Sequence, residues 1–211
     1  SEESMIQFGL KGLKEHRSSG QSHEFHKEMN HKLYEINGDV DRWESFVKSG
    51  FILDEKDQNH LALFFSQADH DQKFTIGLHQ YDGKQRFIST KAVFTHKMPN
   101  DSITLIGGFS FLYDDYQEML NLNQFKRMES VPGVFFESIV KSFNPVTISL
   151  GARYDRHNIF GDMWTPRGTI KISTGEFSYL RFSFGQGYRT ANPIAENLNV
   201  LASSRQLTLP N

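Results

Sequence analysis

The sequence predicts an all-β chain, an antiparallel up-and-down meander of about eleven strands with one apolar face and one small, polar face. Three observations lead there. Apolar residues recur with period two, and no segment competes as a long amphipathic helix. Many candidate strands are about ten residues long, enough to cross a bilayer's hydrocarbon layer at a tilt of roughly 45°. Short connections alternate with longer ones, as they do when every second loop of a meander lies on the same side of the sheet.

In chain order, strands are expected near 5–16, 31–38, 42–53, 60–69, 73–82, 86–97, 102–113, 131–143, 146–155, 166–173 and 177–188. "KFTIGLHQY" sets Phe74, Ile76 and Leu78 against Thr75, Gly77 and His79. "ITLIGGFSFLY" gathers Ile103, Leu105, Phe109, Phe111 and Tyr113 on one side, while its other face mixes Thr104 and Ser110 with Ile106 and Leu112. The clearest alternation is "VTISLGARYD": Val146, Ile148, Leu150, Ala152 and Tyr154 face one way, and Thr147, Ser149, Gly151, Arg153 and Asp155 face the other. "LRFSFGQGYRTANPIAEN" opens with Leu180, Phe182 and Phe184 against Arg181, Ser183 and Gly185, then turns at Tyr188-Arg189 into a polar stretch expected to enter an outer loop.

Tight turns are expected at "NGDV" (37–40), "DHDQ" (69–72), "MPND" (98–101), "NP" (144–145) and "TGE" (174–176), each rich in Gly, Pro, Asn or Asp. The alternate connections, 17–30, 114–130, 156–165 and the stretch from 189, are long; 54–59 and 83–85 are short exceptions. Trp43, Tyr81, Tyr113, Tyr154 and Tyr188 fall near strand ends, where a membrane barrel carries aromatic girdles.

Composition narrows the function classes. A formal net charge of −2, from 23 Lys+Arg and 25 Asp+Glu, gives no basic footprint for nucleic acid. Without cysteine there is no disulfide framework, thiolate metal site or cysteine nucleophile. A mean hydropathy of −0.51 and the lack of a long apolar run argue against a transmembrane helix, yet they fit a barrel, in which only alternate residues meet lipid. The opening "SEESMIQFG" has no signal-peptide pattern, as expected of a mature protein or an excised segment.

"ESVPGVFFESIVK", "VTISLGARYDRHNIFGDMWTPRGTIKIS" and "YLRFSFGQGYRTANPIAENLNVLASSR", with "WESFVKSGFIL" and "HLALFFSQADHDQKFTIGLHQYDGKQ" before them, resemble the barrel of TonB-dependent outer-membrane receptors, particularly those of Bacteroidetes-type bacteria. The resemblance covers most of 30–205. It implies a transmembrane barrel of about 22 strands, in the outer membrane of a Gram-negative bacterium, importing a scarce nutrient such as a siderophore-type metal chelate, a vitamin or an oligosaccharide. The implied partners are outer-membrane lipid, the protein's own plug domain and the TonB complex. Residues 1–211 are therefore expected to be an internal piece of the barrel domain, with the plug and the closing strand outside it. Such a piece, isolated, should self-associate or need detergent to cover its apolar face.

The site candidates fall into two groups. Arg153, Arg167, Arg181 and Arg189 lie on the polar side or at the rim and would suit an anionic ligand or a plug carboxylate; the competing expectation is that they pair with acids such as Asp155 or Glu137. His16, His23, His26, Met29 and His31 gather in one loop with soft-metal chemistry but match no ligand spacing. No cofactor is expected. Nor is an enzyme: no serine has a nucleophile-elbow context, and Asp114, Asp115 and Glu118 are expected as solvated loop acids. The rival class is a soluble β-sandwich, a carbohydrate-binding or adhesive module, in which a second sheet would cover the apolar face.

Overall fold

The computed structural model describes residues 4–20, 35–54, 56, 58–143 and 145–202. Among these, nine strands form one antiparallel sheet in which each strand pairs with its neighbours in sequence: β1 (Ser4–Gly20), β2 (Glu35–Ile52), β3 (Asn59–Ile76), β4 (His79–Lys97), β5 (Ile103–Leu120), β6 (Asn123–Phe143), β7 (Val146–His157), β8 (Gly161–Ser173) and β9 (Tyr179–Gly185). The accessible surface is 15436 Å², where a compact globule of this mass would expose about 10,000 Å². The molecule is a wall, one sheet thick.

Register turns the sequence alternation into two continuous faces. On one, Phe8, Val47, Phe65, Thr90, Phe111 and Pro132 stand in a cross-strand row. Further along, Phe109, Val134, Tyr154 and Trp164 form another, and Ile148, Ile170 and Phe182 a third. These side chains are open to solvent: Leu150 is 54%, Phe136 55% and Phe182 61% exposed. Nothing in the described chain packs on this face, so the second sheet that a β-sandwich requires is not there. The opposite face carries rows such as Ile139, Ser149, Thr169 and Ser183, or Glu137, Gly151, Arg167 and Gly185.

Among the described residues the strands number nine where about eleven are expected. "NGDV" lies inside β2 and "DHDQ" inside β3, so neither is a turn. The expected link at 83–85 lies inside β4, and the real β3–β4 turn is Gly77-Leu78. Residues 114–130 are the paired ends of β5 and β6, joined by Asn121-Leu122. Both two-residue turns place a left-handed residue first, Gly77 at φ +59° and Asn121 at φ +55°, the conformation a tight hairpin asks of Gly or Asn. Of the three expected turns that fall inside strands before "MPND", the one at 83–85 is replaced by Gly77-Leu78 and the other two cancel, so the expected sidedness of every later connection stands.

β1 to β6 are 17–21 residues long, about twice what a tilted strand needs to cross hydrocarbon. The apolar face occupies only part of that length. On β5 it runs from Ile103 to Tyr113 and then gives way to Asp115 and Gln117; on β3 it ends at Phe65, before Gln67, Asp69 and Asp71. Beyond the apolar band the same face holds Lys14, Asp41, Asp71 and Lys84 in one row, with Lys84–Asp71 at 3.6 Å and Arg86–Asp69 at 2.8 Å. These residues line a shallow concavity of about 760 Å³. Of the expected girdle, Trp43, Tyr113 and Tyr154 stand on the apolar face, Tyr154 against Trp164 with ring centroids 4.8 Å apart. Tyr81 and Tyr188 do not: both belong to the opposite side.

Candidate functional site

The polar face is dry at one end. There the chain leaving β9 does not run outward but folds back over the wall as a strap, residues 186–202, ending in the 3₁₀ segment Ala195–Ala202. The strap's apolar residues Ile194, Ala195, Leu198 and Leu201 pack with Ile76, Tyr81 and Leu120, flanked by Ile36, Phe74 and Phe125. Leu201 is 4% exposed. This is the hydrophobic core of the described chain, and it sits between a loop and a wall.

Beside that core lies a polar cluster built from alternate residues of five strands. The Tyr81 hydroxyl donates to Glu118 at 2.8 Å, and the Gln72 amide donates to Tyr81 and Tyr116 at 3.2 and 3.3 Å. Burial pushes the Tyr81 and Tyr116 phenols up, with hydrogen bonding to Glu118 adding to it at Tyr81, and burial also lifts the Glu118 carboxyl above its usual range. Glu118 is thus not the solvated loop acid expected: it is a strand residue, 8% exposed.

One strand on, Glu129 is 3% exposed between Arg127, whose Nε lies 2.9 Å from Oε1, and His157, whose Nε2 lies 3.3 Å from Oε2. The backbone N–H of Ile159 donates to His157 Nδ1 at 3.1 Å, which leaves the ring proton of a neutral imidazole on Nε2, aimed at Glu129. Asp155, fully buried, receives two bonds of 2.6 Å from Arg153, whose second terminal nitrogen also reaches Ser110 at 2.7 Å.

The strap completes this cluster. Arg127 donates to the Ala191 carbonyl at 2.8 Å, and Thr190 donates to Glu129 at 3.1 Å. With its amide oriented to satisfy both neighbours, Asn192 donates to Glu118 and accepts from Tyr116 at 3.2 Å. Tyr188 donates to Asp155, and its phenol is pushed up to about 12 by burial and by that bond.

The four arginines singled out from sequence are all on the polar face or in the strap. Arg153 pairs with Asp155 and Arg167 with Glu137, the two acids named beforehand; Arg189 pairs with Glu196 inside the strap; Arg181 lies over the Tyr179 ring at 5.4 Å. They do not converge on one point. His16 stands on the apolar side of the sheet, above the band, 2.8 Å from Asp39; His23, His26, Met29 and His31 lie outside the described residues. Among the described residues no three His, Asp or Glu side chains gather as a metal site. Sequence reasoning missed the Tyr81–Tyr116–Glu118–Glu129–His157 cluster. The signal for the strap is present in the sequence: Ile194, Leu198 and Leu201 recur at i, i+4 and i+7 within the polar stretch expected to enter an outer loop.

Comparison with known proteins adds the family. The profile of the TonB dependent receptor-like, β-barrel family matches residues 14–209. No curated protein matches this sequence. Among solved structures, the alcaligin outer-membrane receptor FauA from Bordetella pertussis superposes with a TM-score of 0.69 at 10% identity, covering 87% of this chain and 32% of its own. The ferric preacinetobactin receptor BauA from Acinetobacter baumannii gives 0.55 at 10%, covering 69% and 30%. The ferric citrate transporter FecA gives 0.54 at 12%, covering 87% and 36%. The chain spans about a third of the length of the solved structures it matches, and at these identities the likeness is one of fold.

Proposed function

The chain belongs to the TonB dependent receptor-like β-barrel family, and on that premise we propose that it forms one arc of an outer-membrane receptor that captures a scarce nutrient and imports it with energy passed on by TonB. The nine strands are part of a closed barrel of about 22, in a Gram-negative bacterium of Bacteroidetes type. The apolar band faces acyl chains, the polar face meets the plug domain, and the strap end faces the outside of the cell. The nutrient is a metal chelate such as a siderophore, a vitamin or an oligosaccharide; two of the named structural relatives are a ferric preacinetobactin receptor and a ferric citrate transporter.

One observation carries the reading. Across all nine strands the register gives one uncovered face continuous rows of aliphatic and aromatic side chains, while the other face mixes apolar residues with charged and small polar ones, and on β5 the uncovered band runs from Ile103 to Tyr113, about the length that spans hydrocarbon. Buried charge supports the same orientation: the paired acids Glu129 and Asp155 are on the other side.

The test is uptake by cells carrying the full-length parent, offered ferric siderophores, cobalamin and oligosaccharides in turn. One of these should enter only when TonB is present. A parent recovered in the soluble fraction without detergent, or uptake indifferent to loss of TonB, overturns the proposal.

A further inference from the structure

The strap and the wall are held together by different forces. Each strand of the wall pairs with its neighbours through backbone ladders. The strap's hydrogen bonds to the wall are of another kind: apart from the Gln186 N–H to Pro166 carbonyl bond at its root, they use side chains, Tyr188 to Asp155, Thr190 to Glu129, Arg127 to the Ala191 carbonyl, and Asn192 to Glu118 and Tyr116. Its far end is seated by the apolar contacts of Ile194, Leu198 and Leu201.

A segment fixed by side-chain pins and one small apolar seat can detach without disturbing a sheet whose ladders are closed by themselves. Detachment would uncover Tyr81, Tyr116, Glu118, Glu129 and Asp155 together. Each is now shielded, and three are acids whose strap partners are hydroxyl or amide donors. The donors on the strap occupy the positions that hydroxyl or amide groups of an incoming molecule would take.

We propose that residues 186–202 are a displaceable cover that keeps the polar inner wall at the outer end of the barrel closed at rest and lifts as a unit, exposing the Tyr81–Glu118–Glu129–Asp155 surface to molecules bearing hydroxyl or amide donors. The location at the outer end rests on the receptor reading above; the lifting does not.

The test uses the full-length parent in intact cells, with any cysteines elsewhere in it replaced; residues 1–211 contain none. Leu201→Cys places a thiol in the buried seat, and its reaction with a membrane-impermeant maleimide reports lifting without any knowledge of the nutrient. Labelling should be slow compared with an exposed control, Leu122→Cys at the β5–β6 tip. Adding Tyr188→Phe, Thr190→Val and Asn192→Ala should raise the Leu201→Cys rate about tenfold or more, with assembly unchanged as judged by heat-modifiable migration. With Tyr188→Phe and Asn192→Ala kept, Thr190→Cys in place of Thr190→Val should form a disulfide with Glu129→Cys on oxidation, and that lock should return Leu201→Cys labelling to the slow rate. Equal labelling with and without the pins, a fast rate with the pins intact, or failure of the disulfide to form in an assembled barrel would each overturn the cover. A parent that never reaches the outer membrane instead removes the receptor reading, and thiol labelling of the detergent-solubilised protein then still decides whether the strap lifts.

Discussion

Arg153 and Asp155, two residues apart on the same face of β7, are joined by two bonds of 2.6 Å, yet they share their surroundings unequally: the guanidinium side chain is 35% exposed and the carboxylate 0%. The pair should therefore respond asymmetrically to truncation. Arg153→Ala strands a buried anion and is expected to cost about 3 kcal/mol, the lower end for breaking a buried pair. Asp155→Ala leaves a cation that can turn to water, at about half that cost. Denaturant titration of the parent refolded in micelles measures both; a larger loss for Asp155→Ala would refute the assignment of burial.

Gly133 faces that pair across the strand. A Cβ there would lie 1.9 Å from Asp155 Oδ1 and 2.9 Å from Arg153 Nη2, whereas one on Gly50 would meet nothing within 4 Å. Gly133→Ala is expected to destabilise by about 1–3 kcal/mol through overpacking, and Gly50→Ala to change stability by less than about 0.5 kcal/mol. Matched midpoints for the two variants would sink the prediction.

Leu150 and Ser149 point to opposite faces, the serine donating to Glu137 at 2.5 Å. On the receptor reading, Leu150→Arg puts a charge in hydrocarbon and should cost about 2–4 kcal/mol, seen as loss of assembled parent. Ser149→Arg adds a cation next to an acid on the wet side and should assemble at near wild-type level. Equal tolerance at the two positions would reverse the facing.

Tyr188 gives a pH signature. Its phenol is held above the ordinary value of 10, at about 12, by burial and by donating to Asp155. The group keeps its proton more tightly when the strap is seated, so its contribution to closure is complete below pH 10 and is lost as pH rises through about 12. Phenolate absorbance of the micellar parent should show a component near pH 12 that Tyr188→Phe removes; a variant that instead loses a component at about pH 10 means the phenol is free.

The alternation in 146–154 and 180–184 was legible from sequence because the two faces of the wall differ in character, one uncovered and apolar and the other small and polar, so side-chain character flips at each residue. That contrast ends above the band. In "NGDV" and "DHDQ" both faces of the strand meet polar surroundings, and Asp39, Asp41, Asp69 and Asp71 mark a change of solvent that mimics a turn. The stretch 114–130 was lost for the same reason. The pairing of Arg153 and Arg167 followed from the presence of acids at matching positions. The cluster around Glu118 did not, since its burial is supplied by residues 70 or more positions later, and no local pattern announces a contact of that separation.

The contrast between ladder and strap gives the molecule two clocks. Backbone amides laddered between β2 and β8 can trade their protons for deuterium only when the wall itself comes apart. The amides of 188–198 answer to a handful of side-chain contacts, and so keep time with whatever arrives from the medium.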